Sequence, residues 1–231
     1  MQNNEVRFEI IHMPPENTNS VLVSHGTDAV IFDAWGRADD WIKLLDGRGL
    51  KLRAIYATHG HSDHISAAPD LAAYYDIPWY MNHRDLGLIT WGNMLLTFFD
   101  MPQIPDDFRR PTDLTDGTYE ILSGVKMVAV SAAGHSAGGM IFYFPNFGIL
   151  LVGDTLFRDG CGRWDLPTGD ECTLRKTIEK IKDMNLPDET YVVHGHGVDS
   201  TIEILKKSNP YFGGCGHHCC CHHCDGDCGC K

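Results

Sequence analysis

Short apolar runs broken by Gly, Asp and Asn dominate the first third of the chain. Val6–Met13, Ser20–Ser24, Ala29–Asp33 and Leu52–Ala57 read as strands bounded by turn formers. Between them, Ala38–Leu45 carries Trp41, Leu44 and Leu45 at helical spacing behind acidic residues in its first turn. Ile65–Tyr75 is Ala-rich with apolar positions three and four apart, so both segments predict helices. Leu86–Pro111 is mixed. Trp91, Met94, Leu95, Leu96, Phe98 and Phe99 are apolar, but Pro102, Pro105 and Pro111 break any long helix, which leaves a lid or pocket wall and an ordinary core helix both open. A second strand-rich block follows in Tyr119–Leu122, Lys126–Val130, Met140–Phe144 and Ile149–Val152. Cys172–Met184 then reads as a helix, Thr190–Val193 as a strand and Thr201–Lys207 as a final helix. Two blocks, each of strands then helices, predict two half-sheets packed face to face with helices outside.

Composition narrows the function. Lys and Arg number 19 against 31 Asp and Glu, a net charge of −12, and there is no basic run, so a nucleic-acid partner is not expected. Neither a signal-peptide pattern at the N-terminus nor a membrane-length apolar stretch is visible, and a soluble, cytoplasmic protein is the expectation. Of nine cysteines, only Cys161 and Cys172 precede residue 215. That is not how a secreted disulfide scaffold distributes them. The other seven, Cys215, Cys219, Cys220, Cys221, Cys224, Cys228 and Cys230, are interleaved with four histidines in a low-complexity C-terminal segment. We therefore expect two parts: a catalytic domain over 1–209 and, over 210–231, a flexible tail able to hold soft ions such as Zn(II), Cu(I) or Cd(II). Metal handling through that tail is a function class of its own.

The densest chemistry follows the strand Leu52–Ala57, where Thr58-His59-Gly60-His61-Ser62-Asp63-His64 packs three imidazoles and a carboxylate into one loop. Imidazole nitrogen and carboxylate oxygen suit Zn(II) or Fe(II), and residues leaving a strand end can turn toward two adjacent ions. Further donors sit after other predicted strands: His135 in Gly134-His135-Ser136, Asp154 in Gly153-Asp154-Thr155, and His196 in Gly195-His196-Gly197. His194 reads as a bland strand-end histidine. Asp33, ending its strand, is placed to hydrogen-bond the metal loop from behind.

Taken in order, these motifs resemble the metallo-β-lactamase fold superfamily over roughly residues 5–207. Gly153-Asp154-Thr155-Leu156-Phe157 followed by Gly160-Cys161-Gly162-Arg163 is similar to its glyoxalase II branch, the hydroxyacylglutathione hydrolases. With 35 residues after His196, the chain looks like a short form without that branch's C-terminal helical domain. The resemblance implies an α+β fold, a four-layer αββα sandwich with metals at one edge of the two sheets. It implies one ion on His59, His61 and His135, a second on Asp63, His64 and His196, and Asp154 between them. Those two divalent cofactors would be zinc first, with iron or manganese as alternatives. The implied reaction is attack of a metal-bridging hydroxide on a small thioester, an S-lactoylglutathione-like S-acylglutathione first. Asp63 and Asp154 would be the catalytic carboxylates, Asp63 also serving as proton acceptor. Arg163 would meet a substrate carboxylate, with Asp165 orienting it. Gly160-Cys161-Gly162-Arg163 with Asp165 also resembles the persulfide dioxygenases, which implies a single Fe(II) on His59, His135 and Asp154. Gly195-His196-Gly197 falls on the hydrolase side.

Overall fold

The computed structural model describes residues 5–15 and 18–213. The tail cysteines Cys215, Cys219, Cys220, Cys221, Cys224, Cys228 and Cys230 lie outside the described residues.

The first half builds one mixed sheet from β1 (Val6–Ile11), β2 (Ser20–His25), β3 (Asp28–Phe32), β4 (Lys51–Tyr56), β5 (Trp79–Met81) and β6 (Thr112–Asp113), hydrogen-bonded in that order. β1 to β3 run antiparallel and β3 to β6 parallel. Parallel strands need crossovers, and the helices supply them: α1 (Ala38–Arg48) joins β3 to β4, while α2 (Ser62–Ile65) and α3 (Ala68–Tyr74) join β4 to β5. The single helix expected over Ile65–Tyr75 is two. Pro69 lacks an N–H and fits only in a first turn, so it opens α3 and leaves α2 as one short turn that carries Asp63 and His64 of the histidine loop. α4 (Leu86–Phe98) and an irregular segment complete this half.

The second half forms a sheet in the order β14 (Ser200–Thr201), β13 (Tyr191–His194), β10 (Ile149–Gly153), β9 (Met140–Phe144), β8 (Val125–Ser131) and β7 (Gly117–Leu122). A small hairpin, β11 (Leu156–Phe157) with β12 (Gly160–Cys161), and helices α5 (Glu171–Asp183) and α6 (Ile202–Ser208) accompany it.

Period-two alternation divides the apolar runs among three cores. Val21, Val23, Val30, Phe32, Phe142 and Leu151 face inward between the sheets. Leu22 and Ile31, between them in sequence, turn outward to Trp41 and Leu45 of α1 and Leu71 of α3. Leu150, Val152 and Val192 turn outward on the other side to Leu174, Ile178 and Ile181 of α5 and Leu205 of α6. Strands covered on both faces explain runs that are apolar throughout rather than alternating. The layer order is helix, sheet, sheet, helix, the expected αββα sandwich. Phe212 is buried against the α5–α6 side, so the packed body continues past Asn209.

Among the described residues no helix is long and apolar enough to cross a membrane.

Candidate metal centre

The chemistry gathers where β3, β4, β10 and β13 end. β4 leads into Thr58-His59, β10 into Asp154, and β13, parallel to β10, into Gly195-His196. Backbone bonds hold these ends together: Met140 N–H donates to Thr58 O (2.7 Å) and Asn19 N–H to Gly195 O (2.7 Å) across the sandwich, and Gly195 N–H to Gly153 O (2.8 Å) between neighbouring strands. Asn19 also donates through Nδ2 to His194 O and Gly197 O, both at 3.0 Å, clamping the turn that carries His196.

Glycine is required at two of these turns. Gly195 has no room for a side chain, since a Cβ there would lie 1.9 Å from Asp154 Oδ1. Gly153, at φ +49°, would set a Cβ 2.4 Å from Thr58 Oγ1.

His59, His61 and His135 form one convergent group. His59 Nε2 lies 3.0 Å from His61 Nδ1, which in turn lies 2.9 Å from His135 Nε2. The outer ring nitrogens are partnered elsewhere: His59 Nδ1 with Thr58 Oγ1 at 3.0 Å, and His135 Nδ1 with the carbonyl of Arg163 at 2.7 Å. Each outer Nδ1–H is thus spent on a fixed acceptor, leaving an Nε2 lone pair pointing inward. Burial together with neighbouring imidazoles holds His59 well below the usual histidine range and brings His61 down to about 4, so these rings are neutral at physiological pH, the form a metal ion requires.

Asp63, His64 and His196 make a second group, with His196 Nε2 3.1 Å from Asp63 Oδ2 and His64 Nε2 3.7 Å from the same oxygen. Asp154 faces both groups. Its Oδ1 lies 3.4 Å from His64 Nε2, and its Oδ2 lies 3.6 Å from both His135 Nε2 and His196 Nε2. Burial opposes ionisation of Asp63 and Asp154, but the surrounding imidazoles prevail and hold both carboxyls below their usual range. His64 is pulled the other way: despite burial, Asp33, Asp154 and Asp63 raise its pKa. That field favours positive charge at the centre, which a divalent ion supplies as readily as a proton.

These residues fit a pair of divalent ions. Ring nitrogens and carboxylate oxygens fall into triads whose ligand atoms lie within 4.8 Å of one another. His64 Nε2 and Asp154 Oδ1 are fully buried inside the cluster and have no hydrogen-bond partner. A buried acceptor without a partner is costly unless a cation faces it.

The supporting shell is equally specific. Asp33, held at φ 54°, accepts from Thr58 N–H (2.7 Å) and Thr58 Oγ1–H (2.8 Å), and its Oδ2 lies 3.0 Å from His64 Nδ1. Sequence reasoning missed Asp85. It is fully buried and accepts from Gly60 N–H (2.9 Å), Ser136 Oγ–H (2.7 Å) and Gly138 N–H (2.6 Å), tying the first histidine loop to the loop that carries His135. No local motif announces it, because its partners lie 25 to 53 positions away.

Arg163 and Asp165, expected on the substrate side, stand at the rim. Arg163 donates through Nε and a terminal nitrogen to the two oxygens of Asp165, each at 2.9 Å, and both side chains are mostly exposed. Beside the cluster opens a cavity of about 520 Å³ bordered by His61, Asp63, His135, Asp154 and Arg163. Trp91 and Leu95 of α4 line it, while Leu88, Ile89 and Leu96 of the same helix are buried. α4 is thus both core helix and pocket wall. His194 stands apart from the cluster, its Nδ1 donating to Leu156 O at 2.6 Å and its Nε2 2.8 Å from Ser200 Oγ. It braces β13 against its neighbours.

Comparison with known proteins agrees with this geometry. The family model described as "Metallo-beta-lactamase superfamily" matches residues 13–196. Hydroxyacylglutathione hydrolase GloC of Haemophilus influenzae is 30% identical over 209 residues, 90% of this chain and 98% of that protein. Among solved structures, BLEG-1 B3 metallo-beta-lactamase superposes with a TM-score of 0.80 at 28% identity, covering 90% of this chain and all of that one. TTHA1623, solved in a di-iron-bound form, superposes with a TM-score of 0.76 at 30% identity, covering 88% and 99%.

Proposed function

The chain belongs to the metallo-beta-lactamase superfamily, and from that premise we propose that it is a dinuclear metal-dependent hydrolase of small thioesters, with an S-acylglutathione as the first candidate substrate. The observation that carries the reading is Asp154, whose two oxygens face the two donor triads from between them. His59, His61 and His135 would hold one ion, Asp63, His64 and His196 the other, and Asp154 both. Zinc is the first candidate, iron and manganese the alternatives. When bound, the pair supplies hydroxide at neutral pH and a Lewis acid for the thioester carbonyl.

The chain's own residues do the rest. Asp33, Thr58 and the Arg163 carbonyl fix the ring orientations of His64, His59 and His135. Asp63, at the cavity wall and held ionised, is placed to accept a proton. Arg163, paired with Asp165, marks the rim where the thiol half of the substrate would lie.

Support for the thioester comes from the hydroxyacylglutathione hydrolase relative. The test is a panel of S-lactoylglutathione, an acyl-coenzyme A and a cephalosporin, offered to protein purified anaerobically. Turnover of the thioesters is expected. Cleavage of the β-lactam alone, or oxygen uptake dependent on glutathione persulfide with one iron per chain, would overturn the assignment.

Asp33→Ala removes the partner of Thr58 and His64 without touching a ligand position. Loss of such an outer partner is expected to weaken metal retention by about 10- to 100-fold, read by competition with a chelator. We further propose that the cysteine- and histidine-rich segment is a separate soft-metal site. Truncation after Gly213 is expected to abolish thiolate-bound cadmium while thioester turnover stays within about twofold, since each of the described triads is complete within His59–His196.

A further inference from the structure

Large apolar side chains make up much of the wall of the cavity beside the donor cluster. Its wall comes from Trp35, Trp91, Leu95, Phe99, Phe157 and Leu166. Trp35 is fully buried, with Phe99 edge-on to it at 6.4 Å, so this part of the wall is rigid. Trp91 lies 5.9 Å from the ring of His61, which brings the apolar surface up against the first donor triad. The wall continues outward along α4, where Leu95 is 38% and Phe98 81% exposed, the latter stacked edge-on against Phe99. Keeping large apolar side chains in water at the mouth of a reactive cavity is unfavourable, and a ligand that covers them removes the cost.

Polar partners are scarce. Apart from Ser62, the donor cluster, Arg163 and the indole N–H groups of Trp35 and Trp91, the described lining offers a hydroxyl nothing to bond, and both oxygens of Asp165 already hold the Arg163 guanidinium. A hydroxyl set against Leu95, Phe99 or Leu166 would lose its water without replacement.

We propose that the acyl group of the substrate is apolar and is received by the Trp35–Trp91–Phe99 wall, so that unsubstituted alkanoyl thioesters are better substrates than 2-hydroxyacyl ones. This rests on the thioester hydrolase reading and names the acyl half of its substrate. In the reaction water adds to the acyl carbon and the carbon–sulfur bond breaks. The products are a carboxylate, the free thiol and one released proton, with no change of oxidation state.

The test uses one uncharged thiol, N-acetylcysteamine, carrying acetyl, butanoyl, hexanoyl and lactoyl groups. With the metal-loaded full chain, kcat/KM is expected to rise about threefold to fourfold per methylene as apolar surface leaves water. The lactoyl ester is expected to fall below the butanoyl. A binding measurement runs in parallel: the matching S-alkyl thioethers, which cannot be hydrolysed, should perturb tryptophan fluorescence through Trp35 and Trp91 with the same chain-length gradient. Leu95→Ser and Phe99→Ser are each expected to cut the hexanoyl-to-acetyl ratio by about tenfold. A flat series, or a preference for lactoyl with measurable turnover, would overturn the proposal and leave the hydrolase reading intact. A gradient in thioether binding with no ester cleaved would uphold the apolar cavity and remove the hydrolase reading beneath it.

Discussion

Asp154→Ala is expected to lower thioester turnover on the order of 10³-fold or more while leaving the fold in place. The carboxylate is the only described group whose oxygens approach His64, His135 and His196 together, at 3.4 to 3.6 Å. Without it, His64 Nε2 and His196 Nε2 lose a counter-charge, and the two triads lose the group that faces both. The chemistry assigned to a bound pair of ions is worth several kcal/mol of transition-state stabilisation, and each 1.36 kcal/mol corresponds to about tenfold in rate. Steady-state kinetics on S-lactoylglutathione, with circular dichroism to confirm folding, reads the effect. Activity within tenfold of wild type would mean that Asp154 does not hold the centre together.

The second large effect concerns stability. Asp85→Ala leaves the N–H groups of Gly60 and Gly138 and the hydroxyl of Ser136 without their acceptor inside the protein. Burial raises the Asp85 pKa, and the three donors only partly offset it, so the site is a desolvated acceptor that exists for those donors. An unsatisfied buried donor costs about 1–3 kcal/mol, so the variant is expected to lose about 4 kcal/mol, read as a lowered urea midpoint. Chelator competition should show weaker metal retention as well, because the loops carrying His59 and His135 lose their tie. Ser136→Ala, which frees one bond of the three, should cost about 1 kcal/mol. Equal losses in the two variants would contradict the clamp.

Much of the centre is legible in the sequence because its donors are concentrated. Three histidines and an aspartate in His59–His64 cannot be mistaken for a core pattern, and His135, Asp154 and His196 each sit beside glycines at strand ends. The glycines are readable for a physical reason, as Gly195 shows: any side chain there would collide with Asp154. Asp33 was visible from its position after β3. Asp85 was not, since its role exists only once the loops near residues 60 and 136 are brought to it.

The fold divides the same way. Strands β2, β3, β9 and β10, buried on both faces, announce themselves as apolar runs. β5, β6 and β14 are two or three residues long and are strands only because a neighbour pairs with them. Pro69 is the one sequence signal for the break between α2 and α3, and the alanine-rich spacing around it points to a single helix. α4 looked ambiguous because it has two apolar faces, one for the core and one for the cavity.

In the proposed function the described donors form one centre for two ions joined by Asp154. Elemental analysis of the anaerobically purified full chain, wild type against Asp154→Ala, tests it most directly, because any ions held by the C-terminal cysteines cancel in the difference. Wild type is expected to hold two more divalent ions per chain than the variant. A difference of one, or none, would contradict it.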